Sequence, residues 1–466
     1  MARPEWFPSF AEFRQQLQEW EWPTDLTERS LSMADKVTSS RYGIVVRAVD
    51  RTHDWDDAYT YSIGSTAADS RLTLGSPSNK FNGGGAVDET ATYLAAVGET
   101  IERYAGAFGH HDRQIKASFN GLIEKQISAV NPEEIDLFSP EQLEEEGFPY
   151  TSIGKDTEIN WIQGYDLTNE TEIFYPASLV LLSSQANDAG RKLGYSTSSG
   201  LAAHSSPLEA IIGGLNEQAE RDAFSIAWYS KLALPRINPF SSKRLARFWD
   251  RYVTPSGVEV HLIDVSSINS LPTIVAVSVN EHTETAPVAF GAATKESLEE
   301  ACKSASIESL QTRNWVKANQ RDGDKTISLE DDLREKIVDF EDHITFYINR
   351  EAAEKTRFIY QGPHKPLHAD WDLQPGSSRL QVLDEMVDRV RNHNGRVLTF
   401  NLTTPDIAGC GGYVYKTIVH GFNQLDCGYS RRFLGGQRLR TRPFEMGLVN
   451  SKLEFDDFNV WPHPFP

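Results

Sequence analysis

Three segments of the chain combine a helical pattern with polar side chains three positions apart. The pairs are Glu99 and Glu102, Glu217 and Glu220, and Glu308 and Gln311. Residues at this spacing lie on the same face of an α-helix. The sequence therefore predicts three amphipathic helices, whose acidic faces must either meet water or be brought together around positive charge.

An arginine follows each of these pairs, at Arg103, Arg221 and Arg313, and on the third helix the polar groups are again predicted to share one face. Glutamate and arginine at helical spacing commonly form exposed ion pairs that contribute only a few tenths of a kcal/mol. Mg²⁺, by contrast, requires carboxylate oxygens that converge from more than one element, and neighbouring arginines can neutralise the phosphates that it bridges. Three such helices, two of them after Gly/Ser-rich loops, favour a Mg²⁺–nucleotide site.

Other nucleotide and metal motifs do not fit the sequence. The chain contains neither GxxxxGK[ST] nor a kinase-type glycine loop with HRD and DFG. A di-iron site requires ExxH on paired helices, whereas the third positions here are Glu102, Glu220 and Gln311. The predicted nucleotide site therefore has no P-loop.

The boundaries of several elements can be predicted from local signals. The second acidic helix should begin with Ser206 as N-cap, Pro207 at N1 and Glu209 completing a capping box. The other two long helices are predicted over 88–108 and about 294–317. Strands are predicted at 41–49, near 172–183, at 273–280 and within 397–422. Small-residue segments at 64–86 and 196–206 are predicted to be loops, and 131–155 a short helix between loops.

Composition limits the classes of partner and compartment. The net charge of −20 argues against nucleic acid as the main partner, because phosphate-backbone binding needs a basic surface. No apolar run is long enough to span a bilayer, and the N-terminus lacks the apolar segment of a signal peptide. The chain has three cysteines, Cys302, Cys410 and Cys427, with no CxxC pair. We therefore expect a cytoplasmic protein with no membrane partner.

These motifs, in their order along the chain, resemble those of the YcaO family over about residues 40–466. ETIERYAG at 99–106 is similar to the family's motif SxxxExxER, with Ala95 in place of its leading serine. Residues 199–223 resemble the family's small-residue loop and ExxER helix, and the segment from Ser304 to Gln311 matches SxxxExxQ. Gly83-Gly84-Gly85 stands where many members have a GKG-like turn, without its lysine.

The resemblance implies an α+β, YcaO-type ATP-binding fold in which acidic helices pack on β-sheets and hold ATP with Mg²⁺. The Mg²⁺ ligands that it implies are Glu99, Glu102, Glu209, Glu217, Glu220 and Glu308. The further nucleotide contacts that it implies are Arg103, Arg221, Ser304, Gln311 and Arg321. It also divides the chain into an N-terminal extension, 1–40, and a YcaO domain, 41–466.

The C-terminal residues Pro462, Pro464 and Pro466 form a PxPxP sequence at the end of the chain. It resembles the tail of azoline-forming members, the D-type subunits of thiazole/oxazole-modified peptide synthetases, whose terminus lies in the active site. The resemblance implies ATP-dependent cyclodehydration of Cys, Ser or Thr in a ribosomal precursor peptide through phosphorylation of the backbone amide oxygen. The carboxylate of Pro466 is then a candidate proton acceptor. Alternatively, the tail is a polyproline segment that binds a partner groove.

The resemblance further implies an E1-like leader-binding partner, a flavin dehydrogenase acting afterwards in the same pathway, and a possible homodimer. Two alternative functions stay open. The first is another YcaO chemistry, thioamide or amidine formation. The second is an inactive scaffold of a peptide-modifying complex, which Ala95 and the absent GKG lysine favour and the retained glutamates oppose. An acidic interaction protein would explain the tail but not the three helices.

Overall fold

The strands of the chain form three sheets in the part that the computed structural model describes, residues 7–71, 79–182, 192–323 and 325–465 without the side chain of Asp322. The first sheet contains β1 (Val45–Asp50), β2 (Tyr61–Ala67) and β3 (Phe81–Ala86). The second contains β8 (Arg236–Asn238), β9 (Glu259–Asp264), β10 (Thr273–Val279), β11 (Val288–Thr294) and β12 (His364–Pro366). The third contains β4 (Gln114–Ala117), β5 (Ile159–Asp166), β6 (Thr171–Pro176), β7 (Leu201–His204), β13 (Arg396–Asn401) and β14 (Tyr413–His420).

Strand order places the three sheets around the long helices. The orders are β1-β2-β3, β11-β10-β9-β8-β12 and β4-β5-β13-β14-β7, with β6 paired to β5. The pairings of these strands are antiparallel except for β12 with β8. Helices therefore cover faces of mainly antiparallel sheets, which is an α+β architecture.

The helices differ greatly in length, and three of them are much longer than the rest. The long ones are α3 (Glu89–Ala107), α6 (Pro207–Tyr229) and α8 (Leu298–Asp322). The others are α1 (Phe10–Gln18), α2 (Leu26–Val37), α4 (Phe119–Glu124), α5 (Pro140–Leu143), α7 (Lys243–Phe248), α9 (Leu333–Lys336), α10 (Phe340–Phe346), α11 (Arg350–Glu354), α12 (Arg379–Asn392), α13 (Pro405–Gly409) and α14 (Gln437–Glu445).

Helix α6 lies in the middle of the molecule. It is apolar on most of its surface, and residues such as Leu215, Phe224 and Trp228 are fully buried. It packs on β7 and β14 of the third sheet and on β10 and β11 of the second. Helix α3 packs on β2, β3 and β7, and α8 packs on β3, β10 and β11. Because α3 and α8 share β3, and α6 and α8 share β11, the acidic faces of all three helices can meet.

The predicted loop over 64–86 is wrong. Apart from 72–78, which lie outside the described residues, most of it belongs to β2 and β3. The glycines of β3 reflect close packing instead of a turn. A Cβ on Gly84 would lie 2.5 Å from the backbone nitrogen of Ala96, and one on Gly85 would lie 1.1 Å from Nε2 of Gln311. A glycine-rich sequence therefore forms a strand here because two helices lie against its backbone.

Other predicted elements were correct in type but not in extent. The segment 196–206 contains β7 as well as loop, and the strand near 172–183 ends at Pro176. Strands at 41–49, 273–280 and 397–422, short helices within 131–155 and the three long helices are present. The strands β5 and β11 and the helix α2 were not predicted.

The predicted capping box of α6 is only half formed. Oγ of Ser206 accepts a hydrogen bond from the backbone N–H of Glu209 at 3.4 Å. The carboxylate of Glu209 does not return to Ser206; it accepts hydrogen bonds from Nε and Nη2 of Arg379 on α12, with 2.9 Å between Nη2 and Oε2. A charged partner forms a stronger hydrogen bond with the carboxylate than the N-cap backbone N–H would.

The N-terminal helix α1 packs into the same core as α6 and α12. The ring of Phe13 stacks on that of Tyr165 at 3.9 Å between centroids, and Leu17 is buried beside them. The boundary between 1–40 and 41–466 stays a prediction. Among the described residues, no helix combines the length and apolar character needed to cross a bilayer.

Candidate functional site

Helix α3 presents two glutamates to one arginine of its own. Nη1 of Arg103 lies 2.7 Å from Oε1 of Glu102, and Nη2 lies 3.2 Å from Oε1 of Glu99. The second oxygen of Glu99 accepts the backbone N–H of Gly83 on β3 at 2.8 Å. The first acidic motif is therefore fixed both within its helix and to the neighbouring strand.

Helix α6 repeats this arrangement. Nη2 of Arg221 lies 3.3 Å from Oε1 of Glu217, and Nη1 lies 3.4 Å from Oε1 of Glu220. The second oxygen of Glu217 accepts the backbone N–H of Gly200 at 2.9 Å, at the end of the small-residue loop before β7. Each of the two ExxER motifs thus combines an arginine clamp with one backbone donor.

Helix α8 contributes a glutamate and an amide without an arginine clamp. Oε2 of Glu308 accepts the backbone N–H of Ala292 on β11 at 3.2 Å. The side chain of Gln311 lies against Gly85 of β3, and Ser304 lies half-buried one turn before Glu308. This helix therefore connects the second sheet to the first at the site.

The carboxylates of the three helices share one electrostatic environment. Burial raises the pKa of Glu102 and of Glu220 well above the usual glutamate range, and the charge of Glu217 adds to both effects. Burial likewise raises the pKa of Glu308 to about 7, again with a contribution from Glu217. Since the charge of Glu308 also raises the pKa of Glu220, the site is a single cluster to which all three helices contribute.

This cluster is costly for the protein on its own and suits a divalent cation. Removing a carboxylate from water costs several kcal/mol unless a cation compensates it. Arg221 also has donors left over, because its buried Nε and Nη1 make no hydrogen bond among the described residues, although Nη1 lies 3.4 Å from Glu220. Carboxylate oxygens that converge from several elements, beside an arginine able to accept an anion, fit Mg²⁺ and the phosphates it bridges.

A buried lysine belongs to the cluster and was not predicted. Lys416 on β14 is 2% exposed, and its Nζ donates to the carbonyl of Thr197 at 2.6 Å. Burial lowers its pKa to about 7, while the charges of Glu217 and Glu102 oppose that effect. Its signal in the sequence is a lysine inside YVYKTIVH, a strand rich in apolar residues whose six central positions are buried.

Two of the predicted site residues lie away from the cluster in the described contacts. Glu209 is eight residues before Glu217, about 12 Å along the helix, and is bound by Arg379. Arg321 is largely exposed and pairs with Asp54. Their roles as a Mg²⁺ ligand and a phosphate contact stay predictions.

Arg313 does not share the polar face of α8 with Glu308, contrary to expectation. It is buried and lies 2.6 Å from Oδ2 of Asp56, in a loop that also binds Lys317. At about 100° per residue, position 313 is rotated by about 200° from Gln311 and by about 140° from Glu308. It therefore attaches the 54–57 loop to the helix.

The C-terminal tail reaches the cluster. Pro462, His463, Pro464 and Phe465 are buried, and the ring of Phe465 lies 4.1 Å from Cζ of Arg221. Pro462 and Pro464 are thus in the protein interior instead of in a free tail. Pro466 lies outside the described residues, so its predicted role is untested.

Comparisons with known proteins bear on the family and the fold. The sequence profile described as YcaO cyclodehydratase, ATP- and Mg²⁺-binding, matches residues 82–423, which include all three acidic helices. Two curated relatives are 28% and 25% identical over 225 and 203 residues, 47% and 42% of this chain. The chain spans about half the length of these relatives, 51% and 44%.

Solved structures share the fold at low sequence identity. A heterocyclase in complex with substrate and cofactor has a TM-score of 0.74 and 19% identity, over 97% of this chain and 61% of that chain. The YcaO protein of Methanopyrus kandleri, bound with AMPPCP and Mg²⁺, has a TM-score of 0.57 and 18% identity, over 85% and 88%. The E. coli microcin synthetase McbBCD complex with pro-MccB17 bound has a TM-score of 0.53 and 15% identity, over 80% and 88%.

The fold and the three acidic helices thus agree with a profile that covers most of the chain, and this protein belongs to the YcaO cyclodehydratase family, which binds ATP and Mg²⁺.

Proposed function

We propose that the protein uses ATP to close azoline rings in a peptide, by cyclodehydration of Cys, Ser or Thr residues. The observation that best supports this is the meeting of two features at Arg221. Its guanidinium forms an ion pair with Glu217 in the carboxylate cluster. The ring of Phe465, in the C-terminal tail, lies over the face of the same guanidinium. The carboxylate cluster and the tail segment that ends at Phe465 therefore meet at one arginine, and we propose that the peptide amide reacts beside it.

The chemistry requires an activated amide oxygen. The side chain of the substrate attacks the preceding carbonyl carbon, the resulting oxyanion takes the γ-phosphoryl group of ATP, and phosphate then leaves. Such a reaction needs in-line positioning and charge neutralisation more than a protein nucleophile. The site matches that need, since it is built from glutamate, arginine and lysine side chains.

In this proposal the glutamates of the cluster bind Mg²⁺: Glu99, Glu102, Glu217, Glu220 and Glu308. When bound, ATP would supply the phosphoryl group and Mg²⁺ would bridge its phosphates. Arg103 and Arg221 neutralise the glutamates and face the phosphates, and Gln311 orients the nucleotide. The backbone donors of Gly83, Gly200 and Ala292 fix the direction of three carboxylates. These groups act by binding and orientation.

The tail supplies the candidate base in this proposal. The carboxylate of Pro466 would take the proton of the attacking side chain, and Pro462 and Pro464 would stiffen the segment that leads to it. The contact between Phe465 and Arg221 supports this role because it brings the tail to the carboxylate cluster.

The proposal also includes partners. We expect a precursor peptide, an E1-like protein that binds its leader, a flavin dehydrogenase in the same pathway, a possible homodimer, and a cytoplasmic location. The heterocyclase neighbour is a longer polypeptide, of which this chain covers 61%. The McbBCD neighbour is a multi-protein complex with a peptide bound. Both are consistent with a second protein or segment that delivers the peptide.

The test is the mass of the product and the fate of the amide oxygen. Peptides with a single Cys, Ser or Thr, labelled with oxygen-18 in the preceding carbonyl, are incubated with the protein and Mg·ATP. We expect loss of one water per ring and transfer of the label to phosphate, with neither in the Glu308→Gln variant. Gain of sulfur would indicate thioamide formation instead, and an unlabelled phosphate would rule out phosphorylation of the amide oxygen.

A further inference from the structure

The last residues of the chain are bound by side chains of other elements through their main-chain carbonyls. Nε1 of Trp228 donates to the carbonyl of Trp461 at 3.2 Å. The hydroxyl of Tyr347 donates to the carbonyl of Pro462. Nδ1 of His343 donates to the carbonyl of His463 at 2.9 Å. Three successive carbonyls therefore each have a side-chain donor, from α6 or from the segment containing α10.

The tautomers of two histidines are fixed by their neighbours. Nε2 of His343 accepts the backbone N–H of Gly428 at 3.2 Å, so its proton must be on Nδ1, facing the tail. Nε2 of His463 donates to the carbonyl of Asp426 at 2.8 Å, and its Nδ1 accepts the N–H of Phe465 at 3.3 Å. The two rings stack at 4.0 Å between centroids.

His343, Asp426 and His463 lie close enough together to hold a metal ion, but hydrogen bonds in this structure leave neither imidazole ring a free lone pair. Both nitrogens of both rings already take part in hydrogen bonds, and burial lowers the pKa of each histidine to about 3. A neutral, fully hydrogen-bonded pair keeps one geometry, and that geometry directs the chain towards Phe465.

We propose that Trp228, Tyr347 and His343 form a receptor that binds the backbone of the tail segment 461–465 and sets the position of Phe465 beside Arg221 in the carboxylate cluster. Because Pro462 and Pro464 have no N–H, these two residues present only carbonyls to be matched. The receptor therefore sets the register of the tail, that is, which carbonyl meets which donor. Phe465, at the end of the described tail, packs against Arg221 and Phe224. Its catalytic consequence rests on the function proposed above, whereas the docking itself does not.

The main test is Tyr347→Phe, which removes one donor and leaves the carbonyl of Pro462 buried. A matched control is Tyr165→Phe, because Tyr165 also donates to a proline carbonyl, that of Pro8 at 3.0 Å, but packs on α1 at a distance from the tail. Amide hydrogen exchange of the segment 458–465 is measured in both, together with calorimetric binding of Mg·ATP.

We expect exchange of the tail segment to rise about tenfold in Tyr347→Phe and to stay unchanged in Tyr165→Phe, because an unsatisfied buried carbonyl destabilises the docked tail. The affinity for Mg·ATP should stay within about twofold in both variants. An unchanged tail in Tyr347→Phe would overturn the receptor, whether or not the protein closes rings.

Turnover then tests the positioning role. In a protein that closes rings, Tyr347→Phe should lower kcat about tenfold with an unchanged KM for ATP, and should have no further effect in a variant that lacks 462–466. His343→Asn, which keeps a donor near the position of Nδ1, should retain more activity than His343→Leu. A variant with faster exchange in the tail but an unchanged kcat would show that the receptor does not position a catalytic group. A wild-type protein that closes no rings would refute the proposed function, but it would leave the hydrogen-exchange result, and so the docking of the tail, unaffected.

Discussion

Glu308 is the residue at which the free-energy cost of burying these carboxylates is most easily measured. Burial raises its pKa to about 7 from an ordinary value of 4.5. A raised acid pKa favours the protonated form in the folded state, so the stability that Glu308 contributes is present below about pH 4.5 and is lost as pH rises through about 7. Its ionised form is therefore a source of strain at neutral pH that a bound cation would relieve.

Glu308→Gln should consequently stabilise the metal-free protein as pH rises. We expect little difference from wild type at about pH 5 and a gain of roughly 1–3 kcal/mol at about pH 8. Mg·ATP should then stabilise wild type and not the variant. Thermal unfolding at both pH values measures this, with Glu300→Gln on the same helix, half-exposed and paired with Lys303, as control. A gain that is the same at both pH values would contradict the pKa argument.

Gly85 is a second residue with a direct consequence, because its lack of a side chain makes room for Gln311. A Cβ at this position would lie 1.1 Å from Nε2 of Gln311, so Gly85→Ala must displace that amide. We expect Gly85→Ala and Gln311→Ala each to weaken ATP binding about tenfold, and the double variant to be no weaker than either.

The control for this pair is Gly64→Ala on the neighbouring strand, where a Cβ would meet only the end of the Arg51 side chain, at 3.2 Å. Its ATP affinity should equal that of wild type. If the losses of ATP-binding free energy in Gly85→Ala and Gln311→Ala were additive in the double variant, the glycine would affect the nucleotide site independently of Gln311.

At the residue scale, the sequence predicted the acidic motifs well and their surroundings poorly. The spacing of Glu99, Glu102, Glu217 and Glu220 is a local property of a helix, so it can be read directly from the chain. Lys416 is conspicuous as a lysine within an apolar-rich strand, but its place in the cluster depends on β14 lying beside α3 and α6, which the sequence does not show. Arg313 was predicted on the wrong face of α8, because two positions along a helix, from Gln311 to Arg313, turn the side chain to nearly the opposite face.

At the element scale, α6 determines where the site forms, and a buried ion pair fixes it. Asp222 is fully buried, and Arg438 on α14 binds both of its oxygens, with Nε–Oδ1 at 2.8 Å and Nη2–Oδ2 at 2.9 Å. Removing one partner of such a pair leaves an uncompensated buried charge. The pair thus connects the central helix to the C-terminal part of the chain.

Arg438→Met should destabilise the protein by about 3–5 kcal/mol. The comparison is Arg357→Met, whose pair with Glu354 is nearly half-exposed and should be worth less than about 1 kcal/mol. Urea unfolding of both variants gives the difference. Equal effects would mean that the Asp222–Arg438 pair is not needed to hold α6.

Elements were predictable where one signal dominated. Helices α3, α6 and α8 have N-cap residues and long periodic patterns, and their predicted starts are close to those observed. The glycine-rich sequence of β3 predicts a loop, whereas Gly84 and Gly85 form a strand because they make room for α3 and α8, a tertiary requirement. The fully buried strand β11, VAFGAAT, lacks the alternation that marks a half-buried strand.

At the scale of the whole molecule, the tail segment Trp461–Phe465 reaches a cluster whose residues lie far earlier in the chain. Deletion of Pro466 alone leaves the described contacts of Trp461 to Phe465 in place. We therefore expect this variant to bind Mg·ATP within about twofold of wild type and to lose ring formation by at least about a hundredfold. Mass analysis of the peptide product measures the second effect, and full activity without Pro466 would remove the carboxylate from the mechanism.

The central claim is that three acidic helices form one Mg²⁺-dependent ATP site, and calorimetric titration of ATP with and without Mg²⁺ tests it most directly. Wild type and Glu300→Gln should bind ATP only when Mg²⁺ is present, and Glu308→Gln should lose this binding by at least about tenfold. Binding that does not depend on Mg²⁺, or an unchanged affinity in Glu308→Gln, would contradict the claim.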